Sequence, residues 1–563
     1  MTALAAHPRQ ARPGSERQDG LALTYHRLML VMLVFAGITV LIVGRLAYLQ
    51  ISTDRSDGQS TANPLLPPRA DIVDRNGVPL ARTIEAWSIA VHPRKVIGDP
   101  AALATKLAEL MPERSVAEYR RLLTADKNFA YLNRRAVPEL VAAVNALGEP
   151  AIVFDREPER LYPQTGLAAH VLGWTDFDGN GVSGMERILN DRLTDPELRG
   201  SPVALSIDSR VQAAMESALG AAVAKHSAVG AAGIVMDART GEVLAMASFP
   251  TFNPNAAGQS PPNAQYNRAT MGVYELGSVF KPITVASAIE AGVITSLAKR
   301  YDASSPIAIG RFRITDYKGQ NRPLTVPEIL VHSSNIGTAR IADEMGVERM
   351  IAAFRKLGFD QKAHIELAEK SEPLFRSDWS RATVLTSGFG HGIAITPLHL
   401  ASAYSALVNG GVWRPATMMK IAPGKAPQGR RVFSEETSYK IRQMMRLVVL
   451  HGSGKNGEAI GYRVGGKTGT AEKTSAGGYS GKVNVSTFAS AFPMDDPRYV
   501  VIATLDAPKA TADTFGYTTA GWTAAPVVSK VIGRTGVLLG VIPDERKDIN
   551  VDNLLPLIGN PKR

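Results

Sequence analysis

The chain has 563 residues, too long for one ordinary domain and long enough for two or three. Hydrophobic residues make up 45% and charged residues 20%, which excludes a disordered chain, and the lack of cysteine excludes disulfides, thiol nucleophiles and cysteine-ligated metal sites. Its 63 Lys and Arg against 52 Asp and Glu give a net charge of +11, but the basic residues are dispersed, with no dense tract or aromatic-rich RNA motif, so a solvated surface or attraction to an anionic membrane or wall polymer is the economical reading and nucleic acid is set aside.

The first recognisable element is LMLVMLVFAGITVLIV, Leu28 to Val43, which contains no charge and predicts a transmembrane helix running on through Gly44 to Leu49, with Arg45 near its end where it can snorkel. Arg9, Arg12, Arg17 and Arg27 lie upstream and no small-x-small cleavage signal follows. That pattern predicts a signal anchor (28–49) with a cytoplasmic tail (1–27) and the rest of the chain outside the cytoplasm. The Ser, Asp, Gly and Pro of STDRSDGQSTANPLLPP mark a linker over 50–68.

RADIVDRNGVPLA, Arg69 to Ala81, alternates apolar and polar residues around Asn76-Gly77 and predicts a hairpin. From about Asp99 to Leu147 the spacing of Ala, Leu, Glu and Arg predicts helices, and a strand is expected from Ala151. DFDGNGVSGME, Asp176 to Glu186, imitates a calcium loop, but position 12 would be Arg187 and Glu186 arrives one residue early, so a turn followed by a helix is predicted. These segments compose a pedestal over 69–200.

The texture changes near Ser201. GIVMDARTGEVLAMAS, Gly233 to Ser248, predicts two strands joined at Arg239-Thr240-Gly241. YELGSVFKP opens a helix ending near Gly292, and a helix-rich middle follows. Strands are predicted over Val464–Glu472, Val485–Phe492 and Arg498–Asp506, and a last helix over Ala525–Ile532. Strands, then helices, then strands predict an α+β domain over 201–540, an antiparallel sheet packed on a helical block, with a tail at 541–563.

Ser278 and Lys281 are three apart, so a helix puts them on one face, where an amine of lowered pKa can serve as base to the hydroxyl. The pair alone is weak, since Ser278 is also a favoured helix cap and Ser296–Lys299 repeats the spacing with nothing around it. Two further motifs change its weight: Ser333-Ser334-Asn335 and Lys467-Thr468-Gly469-Thr470. Separately they read as a cap and a turn. Together, in this order, they form the S-x-x-K, S-x-N, K-T-G set of penicillin-recognising serine enzymes. Ser278 would be the nucleophile and Lys281 its base, with Ser333 and Asn335 passing the proton and holding lysine and substrate. Lys467 would keep Lys281 neutral and attract a carboxylate that Thr468 bonds. Gly469 would allow close approach at the strand edge, with Ser334 and Thr470 completing the substrate contacts. The backbone N–H groups of Ser278 and Thr470 would hold the oxyanion. No metal or cofactor site is read from the sequence, and His391 in GFGHGIAITP reads as a packed or turn histidine.

On these motifs the chain resembles a class B penicillin-binding protein, a monofunctional peptidoglycan D,D-transpeptidase, over nearly its whole length. GRLAYLQ at the anchor, RADIVDRNGVPLA and RLYPQTGLAAHVLG in the pedestal, and the three catalytic motifs carry the resemblance. It departs at Ala70, where the family's motif has Gly, and at Glu275-Leu276-Gly277, where the family has EPG; neither replaces a reacting group. The pattern is more similar to the division-specific type, penicillin-binding protein 3, than to the elongation type. The resemblance implies an inner-membrane enzyme with its catalytic domain in the periplasm, working at the septum. It would cross-link stem peptides ending in D-Ala-D-Ala and be acylated by β-lactams. Its partners would be a polytopic glycosyltransferase of the shape, elongation, division and sporulation family and other divisome membrane proteins. A β-lactamase shares the motifs, but no deacylation base is recognisable. The motifs do not separate a carboxypeptidase, and an inactive β-lactam-binding scaffold would have no reason to retain all six reacting groups.

Overall fold

The computed structural model describes residues 28–45, 68–310, 312–376, 378–475 and 478–559. The expected tail, linker through residue 67 and last four residues of the anchor lie outside them. The chain divides into two compact units, Met1–Leu66 and Pro67–Arg563. In the first, a helix over Leu28–Arg45 is long and apolar enough to cross a membrane. Its 18 residues rise about 27 Å, close to a bilayer core, which suggests a membrane-anchored protein.

In the second unit the pedestal sheet is built on β1 (Ile72–Val73) and β2 (Pro79–Val91). The predicted hairpin forms because the Asp74 carboxylate accepts the N–H groups of Asn76 (2.7 Å) and Val78 (2.9 Å) and closes the turn. The long β2 also pairs antiparallel with β3 (Ala130–Ala136) and β4 (Ile152–Leu161). β3 corrects the helical expectation for 99–147. Helices Pro100–Leu110, Val116–Leu123 and Pro138–Asn145 form, but Ala130, Leu132 and Ala136 alternate inward between them. Ala and Leu fit a helix as well as a strand, and it is the pairing with β2 that decides. β5 (Val203–Ala204) pairs parallel with β1, so the pedestal sheet takes a strand from beyond the boundary drawn at 200.

Asp176–Glu186 folds as a turn that leads into the short helix Gly184–Ile188. Glu186 is fully buried and bridges two arginines, with Oε2 2.7 Å from Arg69 Nε and Oε1 2.7 Å from Arg160 Nε. The same guanidinium groups donate to the carbonyls of Glu186 (2.6 Å) and Ala70 (2.8 Å). Removing one member of such a cluster strands the other charges away from water. Glu186→Ala is therefore expected to lower stability by about 3–5 kcal/mol, read from the midpoint of denaturant unfolding. A loss below about 1 kcal/mol would show that the arginines find solvent without it.

The second sheet is wholly antiparallel. It holds β6 (Gly230–Asp237), β7 (Val243–Phe249), β8 (Gly465–Ser475), β9 (Gly478–Phe492) and β10 (Tyr499–Asp506) in the order β8-β9-β10-β6-β7. Strand alternation sends Ile234, Met236, Val500 and Ile502 into a core shared with the helical block. Their neighbours Val235, Val501 and Leu505 enter a second core with the helices Ser209–His226 and Ala525–Thr535. Burial on both faces explains why these strands read as apolar runs and not as alternation. Among the described residues, 541–559 pack on the domain and form no separate tail. Ile549, Leu554 and Ile558 are buried, Arg446 on the helix Glu435–His451 holds Asp548 (2.8 Å), and Thr325 donates to the Leu557 carbonyl (2.6 Å).

Candidate active site

The YELGSVFKP segment forms a 3-10 turn over Gly277–Phe280 that runs into the helix Lys281–Glu290. Ser278 lies inside the turn and Leu276 takes the cap position, so Ser278 does not serve as the cap its residue type also allows. Gly277 stands at φ 62°, and a Cβ there would come within 3.0 Å of the Thr470 carbonyl oxygen. Glycine thus lets the turn lie against the backbone of β8. From behind, the buried Tyr404 hydroxyl donates to the Val279 carbonyl (2.8 Å) and Phe280 packs on Phe354 and Phe359.

Lys281 and Lys467 are both fully buried, and they converge on one hydroxyl. Lys281 Nζ stands 3.2 Å from Ser333 Oγ, 2.5 Å from the Ser333 carbonyl and 2.8 Å from Asn335 Oδ1, while Lys467 Nζ donates to the same Ser333 Oγ at 2.9 Å. Ser333 reaches both because it sits at φ 56°, a left-handed conformation unusual for serine and of the kind held at functional sites by surrounding structure. Burial, and then the charge of Lys467, press the Lys281 amine well below the usual lysine range, with Asp316 acting the other way. Burial lowers Lys467 to about 7. Two ammonium groups cannot comfortably share this pocket, and Lys281, which feels its neighbour's charge, is the one to assign as neutral. A neutral Lys281 has the Ser333 carbonyl and Asn335 Oδ1 to meet its two N–H groups and keeps a lone pair that can take up a proton, while the Ser333 oxygen accepts from Lys467. The three groups form a directed proton path.

β8 carries the third motif. Thr468 Oγ1 lies 2.5 Å from Ser453 Oγ, and Thr470 Oγ1 accepts the Ala520 N–H at 3.1 Å. A Cβ on Gly469 would fall 2.3 Å from the Leu276 carbonyl oxygen, so this glycine admits the nucleophile turn itself to the strand.

Six predicted groups, Ser278, Lys281, Ser333, Asn335, Lys467 and Thr468, thus come from three segments into one region. Ser334 does not join them through its side chain: it is 1% exposed, caps the helix Asn335–Lys356 by accepting the Gly337 N–H, and donates to Asp316. Its side chain is thus committed to the cap and to Asp316. The spare pair Ser296–Lys299 is structural, with Ser296 Oγ capping Ala298 N and Lys299 bonded to the Val293 carbonyl and Glu344. His391 packs on Phe389, and burial pushes its imidazole down to about 4, which suits a packed ring. The Glu275 carboxylate, just before the turn, accepts the Gly392 N–H (2.8 Å), and sequence reasoning missed Asp316 and Ser453. Each acts across a long stretch of chain from a loop without periodicity, and no local signal marks it.

The family model for the penicillin binding protein transpeptidase domain matches residues 231–532, and that for the penicillin-binding protein dimerisation domain matches residues 64–194. The chain is 40% identical to the probable peptidoglycan D,D-transpeptidase FtsI of Caulobacter vibrioides, over 84% of this chain and 82% of that protein. It is 30% identical to the peptidoglycan D,D-transpeptidase FtsI of Escherichia coli, over 89% of this chain and 90% of that one. Among solved structures, penicillin binding protein 3 of Mycobacterium tuberculosis complexed with aztreonam superposes with a TM-score of 0.67 at 27% identity, covering 86% of this chain and 99% of that one.

Proposed function

The chain belongs to the class B penicillin-binding proteins of the penicillin-binding protein 3 type, peptidoglycan D,D-transpeptidases of cell division, and from that premise we propose that Ser278 is the nucleophile of its acyl transfer and Lys281 the base. The observation that carries this assignment is the convergence of two buried lysines on Ser333 Oγ beside the Ser278 turn.

Ser278 Oγ attacks the carbonyl carbon between the two D-alanines of a donor stem. Its proton moves to neutral Lys281, and the negative charge that develops on the carbonyl oxygen is held by the N–H groups of Ser278 and Thr470. The C–N bond then breaks. The proton returns through Ser333 to the leaving amine, D-alanine departs, and the acyl-enzyme ester remains. An amine of a neighbouring stem attacks that ester along the same path in reverse, forms the cross-linking amide and regenerates Ser278. Charged Lys467 and the Thr468 hydroxyl take the terminal carboxylate of the donor, and Asn335 holds Lys281 and the substrate amide. A β-lactam enters the same first step, with the ring amide in place of the scissile bond.

The apolar helix Leu28–Arg45 supports a single-pass anchor in the cytoplasmic membrane, with the catalytic domain (201–540) in the periplasm at the septum. The pedestal (69–200) is then the surface for a polytopic glycosyltransferase and other divisome membrane proteins. Incubating the full-length protein in detergent with a donor peptide ending in D-Ala-D-Ala and an acceptor amine tests the chemistry. The expected products are D-alanine and the cross-linked amide in equal amounts. Cross-linking that persists in Ser278→Ala would overturn the assignment.

A further inference from the structure

The hairpin Ile307–Ile309/Phe312–Ile314 ends in Thr315 and Asp316, which lie against the start of the helix Asn335–Lys356. Asn335 Nδ2 donates to the Thr315 carbonyl (2.9 Å), which leaves Oδ1 to face Lys281 Nζ (2.8 Å). That single carbonyl decides which way the Asn335 amide is turned, because the flipped amide would set donor against donor at Lys281 and acceptor against acceptor at Thr315. The Asp316 carboxylate fixes the segment from both sides of Asn335. Oδ2 accepts the Ser334 hydroxyl at 2.6 Å and Oδ1 the Ile336 N–H at 2.9 Å. Ser334 Oγ already accepts from Gly337, so its own proton has to go to Asp316.

We propose that Asp316 is a positioning residue for acyl transfer: it ties the hairpin to the Ser333–Asn335 corner and so holds Asn335 Oδ1 and Ser333 Oγ on Lys281. This rests on Lys281 being the base. The charged and titratable groups that bear on Lys281 are Lys467 from β8, Asp316 from the hairpin and His391, whose ring feels the Lys281 charge. Asp316 is the acidic member of that set and moderates the push towards the neutral amine. Its removal therefore has two separable effects, a loosened corner and an easier deprotonation of Lys281.

The test is the second-order rate of labelling by a fluorescent penicillin, measured across pH on the full-length protein in detergent, with thermal unfolding alongside. Asparagine at 316 can serve one of the two donors and presents a donor to the other. Asp316→Asn is expected to stay folded, to label about ten- to a hundredfold more slowly at the plateau, and to show its acid limb displaced to lower pH. Asp316→Ala should be slower still. Wild-type labelling in Asp316→Asn would overturn the proposal, as would lost thermal stability with the acid limb unmoved, which is what a purely structural cap would give. Label that survives in Ser278→Ala would instead remove the acyl-transfer assignment underneath, an outcome the Asp316 variants alone do not produce.

Discussion

Replacing Lys281 by alanine is expected to slow acylation by a β-lactam by roughly three to four orders of magnitude without unfolding the protein, the scale at which a positioned general base contributes. The size follows from protonation. A lysine at its ordinary pKa of 10.5 is neutral in only about one molecule in three thousand at pH 7, so a solvent-exposed amine would be a poor base. Complete burial and the neighbouring charge of Lys467 lower that pKa well below the ordinary value and so raise the neutral fraction. Lys281→Arg should be as inactive as alanine, because a guanidinium keeps its proton at any working pH.

The pH dependence has a definite sign. A base of lowered pKa is protonated as pH falls, so the acylation rate declines on the acid side through the depressed pKa of Lys281. Lys467 acts on the other limb. It loses its charge as pH rises through about 7 in the free enzyme, and a bound carboxylate, being of opposite charge, raises that value. The rate at low substrate should therefore fall above about pH 7 while the saturated rate holds to higher pH. A single limb shared by both would contradict separate roles for the two lysines.

The second large effect is expected from Gly469→Ala. The added methyl would meet the Leu276 backbone oxygen at 2.3 Å and Val279 Cγ1 at 2.9 Å, and since the first is backbone, it is the strand or the nucleophile turn that has to move. A displacement near 1 Å at the reacting atoms costs about a hundredfold in rate, and overpacking of this kind costs about 1–3 kcal/mol in stability. Acylation by a fluorescent penicillin and thermal unfolding read the two effects separately. Gly533→Ala is the control: it lies in the helix Ala525–Thr535 with nothing within 4 Å of its Cβ, and alanine there should be neutral or stabilising. Equal behaviour of the two variants would show that the contact between β8 and the turn is not what positions Ser278.

How much of this was visible in the residues depends on how local each cause is. The strands of the second sheet and the final helix were legible, because apolar runs bounded by turn residues leave few other structures. The three motifs were legible as a set, since each places its reacting groups within a few residues. β3 was missed because Ala130, Leu132 and Ala136 suit either period and only β2 settles the matter. The type of Ser334 fits both a cap and a substrate contact, and the fold gives its side chain to the cap. Asp316 was invisible for a plainer reason: it reaches residues 18 and 20 positions away, and its loop sequence carries no period. The strap over 541–559 shows the same limit. Ile549, Leu554 and Ile558 are too sparse to announce a packed segment, and the bonds that fix it, from Gln443 to Asn550 and from Arg446 to Asp548, come from a helix about a hundred residues earlier.

The most direct test of the central assignment is the site of covalent modification. The full-length protein would be incubated with a penicillin and digested, and the mass of every serine-containing peptide compared with that from untreated protein. The assignment predicts one adduct, on the peptide that contains Ser278, retained in Ser296→Ala and absent from Ser278→Ala. An adduct on any other serine, or none on folded wild-type protein, would contradict it.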